Sequence, residues 1–474
     1  MEKRFAEIEF GYADAKEEGS EMPNLLVNGY LDEMGAVDAA LHSNKFLFLG
    51  YKGSGKTSLL EHLRLTLNNE KDFVLDIPLR EFSYKSLLKI VEGQNEQDSK
   101  FPQAWELILL IFSLHLLDLD NGKLISDESQ FLNTIHTLKN IGLFPIDSIA
   151  QVVQKTANRK FKTNLANLLS IESESDSKRS IESVPFLIRY LKDIIRNVKS
   201  ESKYLILIDG LDDILRDTEM QYKGVMALIN QAKSMNLFFK QCNLDFKIII
   251  FCRTDIFDRL PDPNKNKLRQ DCAFYFRWFD ESETEAAHAS NLALLANLRC
   301  RLKYPDVDDV FKEFFPAIFE GGDTLKQLLD YTRHIPRDFL QLLKSIQKYA
   351  NNKGLINPTG ISKGIKHYAG DYFLPELKDE LAGYCDDTTI DDFFNVLSRV
   401  RKKQFHMGDL KRAAAEIEKQ NLDMNKICEI LFDCSALGNV MDDCKYFKYR
   451  NPNRKFSPLD PIILHNALDR ANRQ

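Results

Sequence analysis

Residues 50 to 57 read Gly-Tyr-Lys-Gly-Ser-Gly-Lys-Thr, which matches the phosphate-binding loop pattern G-x-x-x-x-G-K-[S/T] at every fixed position. The glycines let the backbone turn tightly and approach an anion closely. The N–H groups of such a loop and the N-terminus of the following helix form a concave cradle for phosphate. Lys56 is expected to contact the β- and γ-phosphates, and the Thr57 hydroxyl is expected to bind Mg²⁺. The predicted nucleotide-binding residues of the loop are Gly50, Gly53, Ser54, Gly55, Lys56, Thr57 and Ser58.

The residues on either side of this loop have the patterns that such a loop requires. Residues 45–49, Lys-Phe-Leu-Phe-Leu, form a short apolar run that predicts a buried strand. Residues 58–63 have helical spacing and no helix breaker. The sequence therefore predicts a strand, a glycine-rich loop and a helix in that order.

A second strand ends in a cluster of acids. Residues 204–208, Tyr-Leu-Ile-Leu-Ile, are followed by Asp209-Gly210-Leu211-Asp212-Asp213. An acid in this position lies at the carboxyl edge of a parallel sheet, where ligands bind in such folds. Asp209 is expected to hold the Mg²⁺ shell, and Asp212 or Asp213 to orient or deprotonate the attacking water. The alternative is a buried strand followed by a solvated acidic turn.

A third strand ends in an arginine. Residues 246–252 are almost entirely apolar, and Arg253 follows them. The same sheet edge would bring Arg253 near the γ-phosphate, which its rigid guanidinium can bind bidentately. The alternative is an ion pair between Arg253 and Asp255 or Asp258.

With these three strands in order, the chain resembles the AAA+ and STAND group of P-loop ATPases. The run Asp-Gly-Leu-Asp-Asp is similar to the STAND form of the second motif, with a small residue after the first Asp and acids three and four places on. The resemblance implies an α/β fold: a P-loop NTPase three-layer core with a central parallel sheet, a helical lid and a C-terminal winged-helix domain. It also suggests two kinds of relative: origin-recognition ATPases, and bacterial stand-alone ATPases, many of them thought to act in phage defence.

The resemblance extends to residues 334–338, His-Ile-Pro-Arg-Asp. In the family, a Gly-x-Pro or Pro-Arg element of the lid touches the base or the phosphates. Carried over, Pro336 would pack on the adenine and Arg337 would sense phosphate, although His334 stands where many relatives have Gly. The alternative is a proline in the first turn of a helix.

The C-terminal segment predicts three helices, residues 391–400, 407–417 and 424–432. Two strands, 446–450 and 455–456, are expected to follow around an Asn-Pro-Asn turn, which is similar to a winged helix. Residues 388–474 carry fifteen Lys or Arg and twelve Asp or Glu, in a chain of net charge −6. One hypothesis is a nucleic-acid-binding domain that neutralises phosphates. Its cations would be Arg399, Arg401, Lys402, Lys403, Lys448, Arg450, Arg454 and Lys455.

The other hypothesis is a switch domain folded over the nucleotide. Residues 462–468 resemble the Met-His-Asp motif of STAND proteins, in which the His touches the β-phosphate and holds the ADP state. Only His465 matches that motif, because Leu464 and Asn466 replace the Met and the Asp. A lone His before a helix is more often structural.

Length and composition indicate a globular protein of two or three domains. The predicted domains are an ATPase core over residues 1–285 with a helical insertion over about 80–200, a lid over 286–385, and a winged helix over 386–474. No two of the eight cysteines form a C-x-x-C pair, and the first residues lack an apolar leader. Both observations favour a cytoplasmic protein. The longest apolar stretch, residues 107–117, is too short to span a bilayer.

The expected function is that of a regulatory ATPase that binds ATP or ADP with Mg²⁺ and acts through a separate protein partner. A bacterial anti-phage system is the setting implied by the resemblance. The alternatives are a DNA-binding ATPase of the origin-recognition type and a nucleotide-gated scaffold with negligible turnover. In a homo-oligomer, Arg259 or Arg269 would be the candidate arginine finger; the alternative for either is an ordinary surface arginine.

Overall fold

The computed structural model describes residues 3–79, 84–91, 97–146, 148–158, 184–211, 219–262, 264–279, 286–350 and 354–473. The chain divides into two compact units. The sheet unit comprises Gly35–Gly50 and Leu59–Tyr275, and the lid unit comprises Met1–Met34, Tyr51–Ser58 and Phe276–Gln474.

The strands and helices follow in chain order. The strands are β1 (Leu47–Gly50), β2 (Asp72–Pro78), β3 (Leu124–Ile125), β4 (Val198–Lys199), β5 (Lys203–Asp209), β6 (Asp245–Arg253), β7 (Ala273–Tyr275), β8 (Ile318–Phe319), β9 (Gly322–Asp323), β10 (Gln404–Phe405), β11 (Leu437–Met441), β12 (Cys444–Tyr446) and β13 (Ile462–Leu464). The helices are α1 (Ala15–Glu21), α2 (Pro23–Asn28), α3 (Ala36–His42), α4 (Lys56–Thr66), α5 (Tyr84–Leu88), α6 (Gln97–Leu119), α7 (Glu128–Asn140), α8 (Ile149–Thr156), α9 (Val184–Arg196), α10 (Glu219–Gln241), α11 (Thr254–Arg259), α12 (Lys265–Lys267), α13 (Asn291–Lys303), α14 (Val310–Phe314), α15 (Thr324–Asp330), α16 (Pro336–Gln347), α17 (Pro358–Tyr368), α18 (Leu374–Ala382), α19 (Asp387–Val400), α20 (Met407–Glu416), α21 (Met424–Asp433) and α22 (Asn466–Asn472).

The sheet unit is built on a five-stranded sheet in the order β2-β5-β6-β1-β7, with every neighbouring pair parallel. The central strands β5 and β6 are runs of buried aliphatic and aromatic residues, as expected for a parallel sheet covered on both faces. The predicted α/β class with a central parallel sheet is confirmed. The register places Gly50 beside Arg253 and Pro78 beside Asp209, so β1, β5 and β6 end at one edge of the sheet.

The long helix α6 packs against α9, α10 and the sheet. Its indole at Trp105 is buried and donates a hydrogen bond to the Gly224 carbonyl at 2.9 Å. The helix is longer than the apolar stretch seen in the sequence: Ser99–Leu119 is long and apolar enough to cross a membrane by length and composition. However, 72% of its apolar window is buried inside the protein, which fits a core helix.

The lid unit contains the helices α13 to α18 and two ion pairs that are almost fully buried. Arg299 on α13 pairs with Glu18 on α1 at 2.7 Å, and Arg333 pairs with Asp338 on α16 at 2.8 Å. Buried charges are stable only when they are paired and hydrogen-bonded. These pairs therefore fix how the N-terminal helices and the lid helices pack within this unit.

The end of the lid unit has the element order of a winged helix. Strand β10 lies between helices α19 and α20, and β11, β12 and β13 follow α21. These four strands form an antiparallel sheet in the order β10-β13-β11-β12. The predicted helices are confirmed, but the predicted hairpin is wrong. The turn lies at Asp442 and Asp443, whose φ values are 49° and 61°, as a two-residue hairpin turn requires. The Asn-Pro-Asn segment belongs instead to the long connection between β12 and β13.

Candidate nucleotide-binding site

The phosphate-binding loop has the backbone conformation that its glycines predict. Gly53 and Gly55 have φ values of 80° and 95°, a region that side-chain-bearing residues rarely adopt. The Ser54 N–H donates to the Tyr51 carbonyl at 3.1 Å and closes the turn. Helix α4 then begins at Lys56, so Thr57 and Ser58 lie in its first turn. A helix that begins directly after such a loop presents its N-terminal N–H groups to an anion.

The side chains of the loop fit a nucleotide phosphate. Lys56 is buried and its Nζ donates to the Tyr51 carbonyl at 3.0 Å, across the loop. The Ser54 hydroxyl is fully buried and has no hydrogen-bond partner among the described residues. A buried polar group of this kind is costly unless something satisfies it. A lysine, hydroxyls and a turn of backbone N–H groups form a donor set suited to phosphate, and the Thr57 hydroxyl suits a hydrated Mg²⁺.

Residues of the lid unit close over the tip of this loop. The Arg337 N–H donates to the Gly53 carbonyl at 3.3 Å, and the Trp278 indole donates to the Ser54 carbonyl at 2.8 Å. A Cβ at Gly53 would lie 3.0 Å from Cβ of Arg337 and from Cδ1 of Ile335. Gly53 is therefore required by its positive φ and also by the close approach of the lid. No local pattern marks Trp278, which is 224 residues from its partner in the chain.

The predicted lid motif begins a helix. Pro336 is the first residue of α16, where its missing N–H costs nothing, and Arg337 follows it beside the loop. His334 has a φ of 51°. This left-handed conformation explains why glycine suits the position in the relatives that the motif resembles.

Glu376, on α18, also contacts the loop and was not identified from the sequence. Its carboxylate lies 2.8 Å from Nζ of Lys52 and 3.3 Å from Nη1 of Arg337. Burial opposes ionisation of Glu376, but Lys52 and Arg337 outweigh it and hold the pKa of this carboxyl below its ordinary value. The carboxylate is therefore ionised at neutral pH and joins two cations, one from the loop and one from the lid.

Within the sheet unit, Asp209 is the last residue of β5. It is partly exposed, and its Oδ1 accepts a hydrogen bond from the Gly210 N–H at 2.8 Å. This carboxylate stands at the carboxyl edge of the sheet, where a magnesium-holding acid was predicted. The other two predicted acids, Asp212 and Asp213, lie outside the described residues.

Arg253 ends β6 at the same sheet edge and forms a bidentate ion pair. Its Nε and Nη2 lie 3.0 and 2.8 Å from the two carboxylate oxygens of Asp255. Both side chains are largely buried. Burial opposes ionisation of Asp255, but the guanidinium outweighs it and lowers the pKa of the carboxyl. The pairing that was the alternative for Arg253 is therefore present, and it occupies two of the guanidinium nitrogens.

The arginine-finger candidates lie just beyond β6. Arg259 is the last residue of α11. The Arg269 guanidinium pairs with Asp258 and lies 5.7 Å from the centre of the Phe257 ring. Both of these contacts of Arg269 are therefore to residues of the sheet unit, to which it belongs.

His465 is buried in the lid unit and uses both ring nitrogens. Its Nδ1 accepts from the Ala467 N–H at 3.3 Å and caps α22, so the proton is assigned to Nε2, which donates to the Thr332 carbonyl at 3.0 Å. Its ring also stacks on Phe373 with centroids 5.1 Å apart. Burial lowers the pKa of His465 to about 4. The imidazole is thus neutral and joins the C-terminal helix to the lid.

The winged helix presents little free positive charge on the helix that usually reads DNA. The exposed residues of α21 include Asn425, Lys426 and Glu429, one cation and one anion. Exposed cations cluster instead at the end of α19, at Arg399, Arg401 and Lys402. Lys455 of the predicted set is also exposed, whereas the other four predicted basic residues have partners within the unit. Lys403 donates to Asn466, Lys448 to the Arg454 carbonyl, Arg450 pairs with Asp330, and Arg454 lies over the Tyr446 ring.

No family model and no curated protein matches the chain. The chain is similar to the crystal structure of Cdc6p from Pyrobaculum aerophilum, with 11% sequence identity and a TM-score of 0.31. The similarity covers 97% of this chain and 91% of that one.

Proposed function

We propose that the chain is a regulatory ATPase that binds and hydrolyses Mg-ATP and transmits its nucleotide state to a partner protein. The observation that supports this best is the loop from Gly50 to Thr57. It combines two left-handed glycines, a buried lysine and a helix that begins at that lysine, and the lid places Arg337 against it. These are the groups that cradle and neutralise a nucleotide phosphate.

The roles proposed for individual residues follow from their chemistry. Lys56 neutralises the β- and γ-phosphates, and Thr57 and Asp209 hold Mg²⁺, which supplies charge neutralisation when bound. Arg337 meets the phosphates from the lid, Pro336 contacts the base, and one of the acids after β5, Asp212 or Asp213, orients the attacking water. Arg253 would act on phosphate only by exchanging Asp255 for it. Catalysis by such a set works through positioning and charge stabilisation.

His465 and the winged helix supply the switch in this proposal. The neutral imidazole contacts the Thr332 carbonyl, two residues before His334 and four before Pro336 in the chain. A shift of the lid motif on nucleotide exchange would therefore act on this contact. A nucleotide contact by His465 itself would require both of its present hydrogen bonds to break.

A protein partner is favoured over DNA because the exposed face of α21 carries little positive charge and several basic residues of the wing are already paired. The exposed cluster at Arg399, Arg401 and Lys402 keeps a DNA-binding ATPase of the origin-recognition type as the competing function. A role in bacterial defence against phage, and assembly into a homo-oligomer, belong to the proposal through the STAND resemblance alone.

The decisive experiment measures ATP turnover and nucleotide binding by the purified chain, with and without DNA. We expect slow turnover that is unchanged by DNA, and a loss of turnover of at least about a hundredfold in Lys56→Ala. Lys71→Ala is the matched control, because Lys71 is exposed and pairs with the exposed Glu201 on the surface of the sheet unit. Turnover stimulated by DNA and suppressed by moderate salt would favour the competing function. Nucleotide binding without turnover would favour a scaffold, and absence of binding would refute the proposal.

A further inference from the structure

A single carboxylate, that of Glu376, bridges the phosphate-binding loop and the helical lid. Its Oε1 lies 2.8 Å from Nζ of Lys52 and 3.3 Å from Nη1 of Arg337. The Glu376 side chain is 13% exposed, and those of Lys52 and Arg337 are 27% and 28% exposed. Partly buried charges are screened much less than exposed ones. The bridge therefore restricts the positions of both cations.

Secondary structure fixes both sides of the bridge. Glu376 lies near the start of α18, which continues from α17 through a π-helical turn over Ala369–Phe373. Arg337 lies in the first turn of α16, and its own N–H is bonded to the Gly53 carbonyl. Two helices thus hold the carboxylate and the guanidinium against the tip of the loop, so neither depends on a flexible loop for its placement.

The geometry leaves part of the Arg337 guanidinium for another acceptor. The contact with Glu376 is made by Nη1 alone and is long, whereas Lys52 approaches the same oxygen closely. Nε and Nη2 of Arg337 are not used in this contact. A planar fork that is held through one nitrogen can still bind a phosphate through the others.

We infer that Glu376 is a positioning residue for the proposed ATP hydrolysis, holding Arg337 beside the loop in the orientation from which it meets the terminal phosphate. This inference rests on the proposed function. A carboxylate near the phosphates repels them and weakens ground-state binding. Glu376 therefore orients Arg337 for the transition state and disfavours nucleotide binding, so its removal should lower kcat without raising KM.

The test compares Glu376→Gln with Asp379→Asn. Asp379 lies on the same helix and is exposed, so the control makes the same charge change away from the bridge. We expect Glu376→Gln to lower kcat at least about tenfold while the affinity for a fluorescent ATP analogue stays equal or rises. Asp379→Asn should keep both values. Because Glu376 acts through Arg337, the double variant with Arg337→Ala should be no slower than Arg337→Ala alone.

A second readout needs no nucleotide. Trp278 lies against the loop through its bond to the Ser54 carbonyl, and Trp105, the other of the two tryptophans, is fully buried in the sheet unit. Subtracting the emission of a Trp278→Phe variant isolates the Trp278 signal. If the bridge holds the loop to the lid, acrylamide quenching of Trp278 should rise in Glu376→Gln and not in Asp379→Asn.

Several results would overturn the inference. A parallel loss of kcat and nucleotide affinity would mean that Glu376 has only a general structural role. An unchanged kcat with tighter ATP binding would mean that it merely competes with phosphate. Additive losses in the double variant, or unchanged quenching of Trp278, would show that it does not hold Arg337 or the loop. Failure of the wild-type chain to bind ATP would refute the proposed function, and the quenching measurement would still test the bridge.

Discussion

The sheet unit and the lid unit differ in how their buried charged side chains are paired. The core of the sheet unit is aliphatic and aromatic, and several of its buried polar side chains are hydroxyls bonded to carbonyls of their own helix, as at Ser113, Thr134 and Thr156. The sheet unit also buries Glu61, Asp120 and His115, but Glu61 pairs with the exposed Arg64 and Asp120 accepts from hydroxyls. The lid unit instead buries both partners of two ion pairs, Glu18 with Arg299 and Arg333 with Asp338, and it also buries His334 and His465.

This difference has physical consequences. Burial of apolar surface is non-directional, so loss of one side chain costs an amount set by the cavity that remains. A buried charge depends on one partner in one geometry, and removal of that partner leaves the charge desolvated. The lid unit should therefore be more sensitive to single polar substitutions and to pH. That sensitivity suits a part of the protein proposed to change conformation.

Removal of one partner of the buried Arg333–Asp338 pair should give the largest difference in stability between the two units. The two side chains are 5% and 0% exposed, and Asp338 also accepts from the Tyr372 hydroxyl at 3.0 Å. Asp338→Ala should destabilise the lid unit by roughly 3–5 kcal/mol because it leaves the Arg333 charge buried and unpaired. Urea unfolding followed by Trp278 emission should show the loss, with little change in the Trp105 signal.

The matched control replaces both partners. Arg333→Met combined with Asp338→Leu should recover most of the lost stability, since an apolar pair of similar volume removes the buried charges. Asp338→Ala could instead shift the urea-unfolding transitions seen by Trp105 and by Trp278 equally. That result would show that the lid unit is not more sensitive than the sheet unit to loss of a buried charge.

The next largest effect is expected in the sheet unit. Ile206 is fully buried in β5, between two parallel neighbours. Ile206→Ala should cost roughly 2–5 kcal/mol, and Ile206→Val roughly 0.5–1.5 kcal/mol, because the cost follows the methyl groups removed. The loss should be followed by Trp105 emission and should be the same at pH 5.5 and pH 8. A pH-dependent loss would contradict a purely apolar origin.

The smallest effect is the response to mild acid. Burial, with the nearby Arg450 and His465, lowers the pKa of His334 to about 3, and burial lowers that of His465 to about 4. Between pH 6.5 and 5.5 the unfolded chain therefore gains protons at these residues that the folded chain does not bind. The stability of the lid unit should fall by roughly 1 kcal/mol per histidine over that interval, as measured by urea unfolding followed by Trp278.

His334→Phe separates the contributions of His334 and His465 to the loss of stability in mild acid. The His334 ring lies between Phe279 and Tyr449, and neither ring nitrogen has a hydrogen-bond partner among the described residues. A phenylalanine should therefore keep the stability at pH 8 within about 1.5 kcal/mol and remove about half of the acid-induced loss. An undiminished loss in this variant would exclude His334 as its source.

Much of the sheet unit could be predicted from sequence because its signals are local. The apolar runs before Gly50, Asp209 and Arg253 each became a strand, and their ends share one sheet edge. Three helices of the winged helix were also found within a few residues of their ends. The predicted position of the hairpin was wrong because Asn-Pro-Asn has the residues that favour turns. The hairpin turn is made instead by Asp442 and Asp443, whose φ values are positive.

The sequence by itself determined the phosphate-binding loop, since the spacing of Gly53, Gly55, Lys56 and Thr57 follows from what a turn of backbone needs in order to hold an anion. It also determined the strand order along the chain that leads to Asp209 and Arg253. Only the tertiary structure decided the partners of these residues: Asp255 for Arg253, Thr332 for His465, and Glu376 for both Lys52 and Arg337. Most of those contacts join residues that are far apart in the chain, and whether a charged side chain meets a ligand or a neighbour depends on packing, which no local pattern encodes.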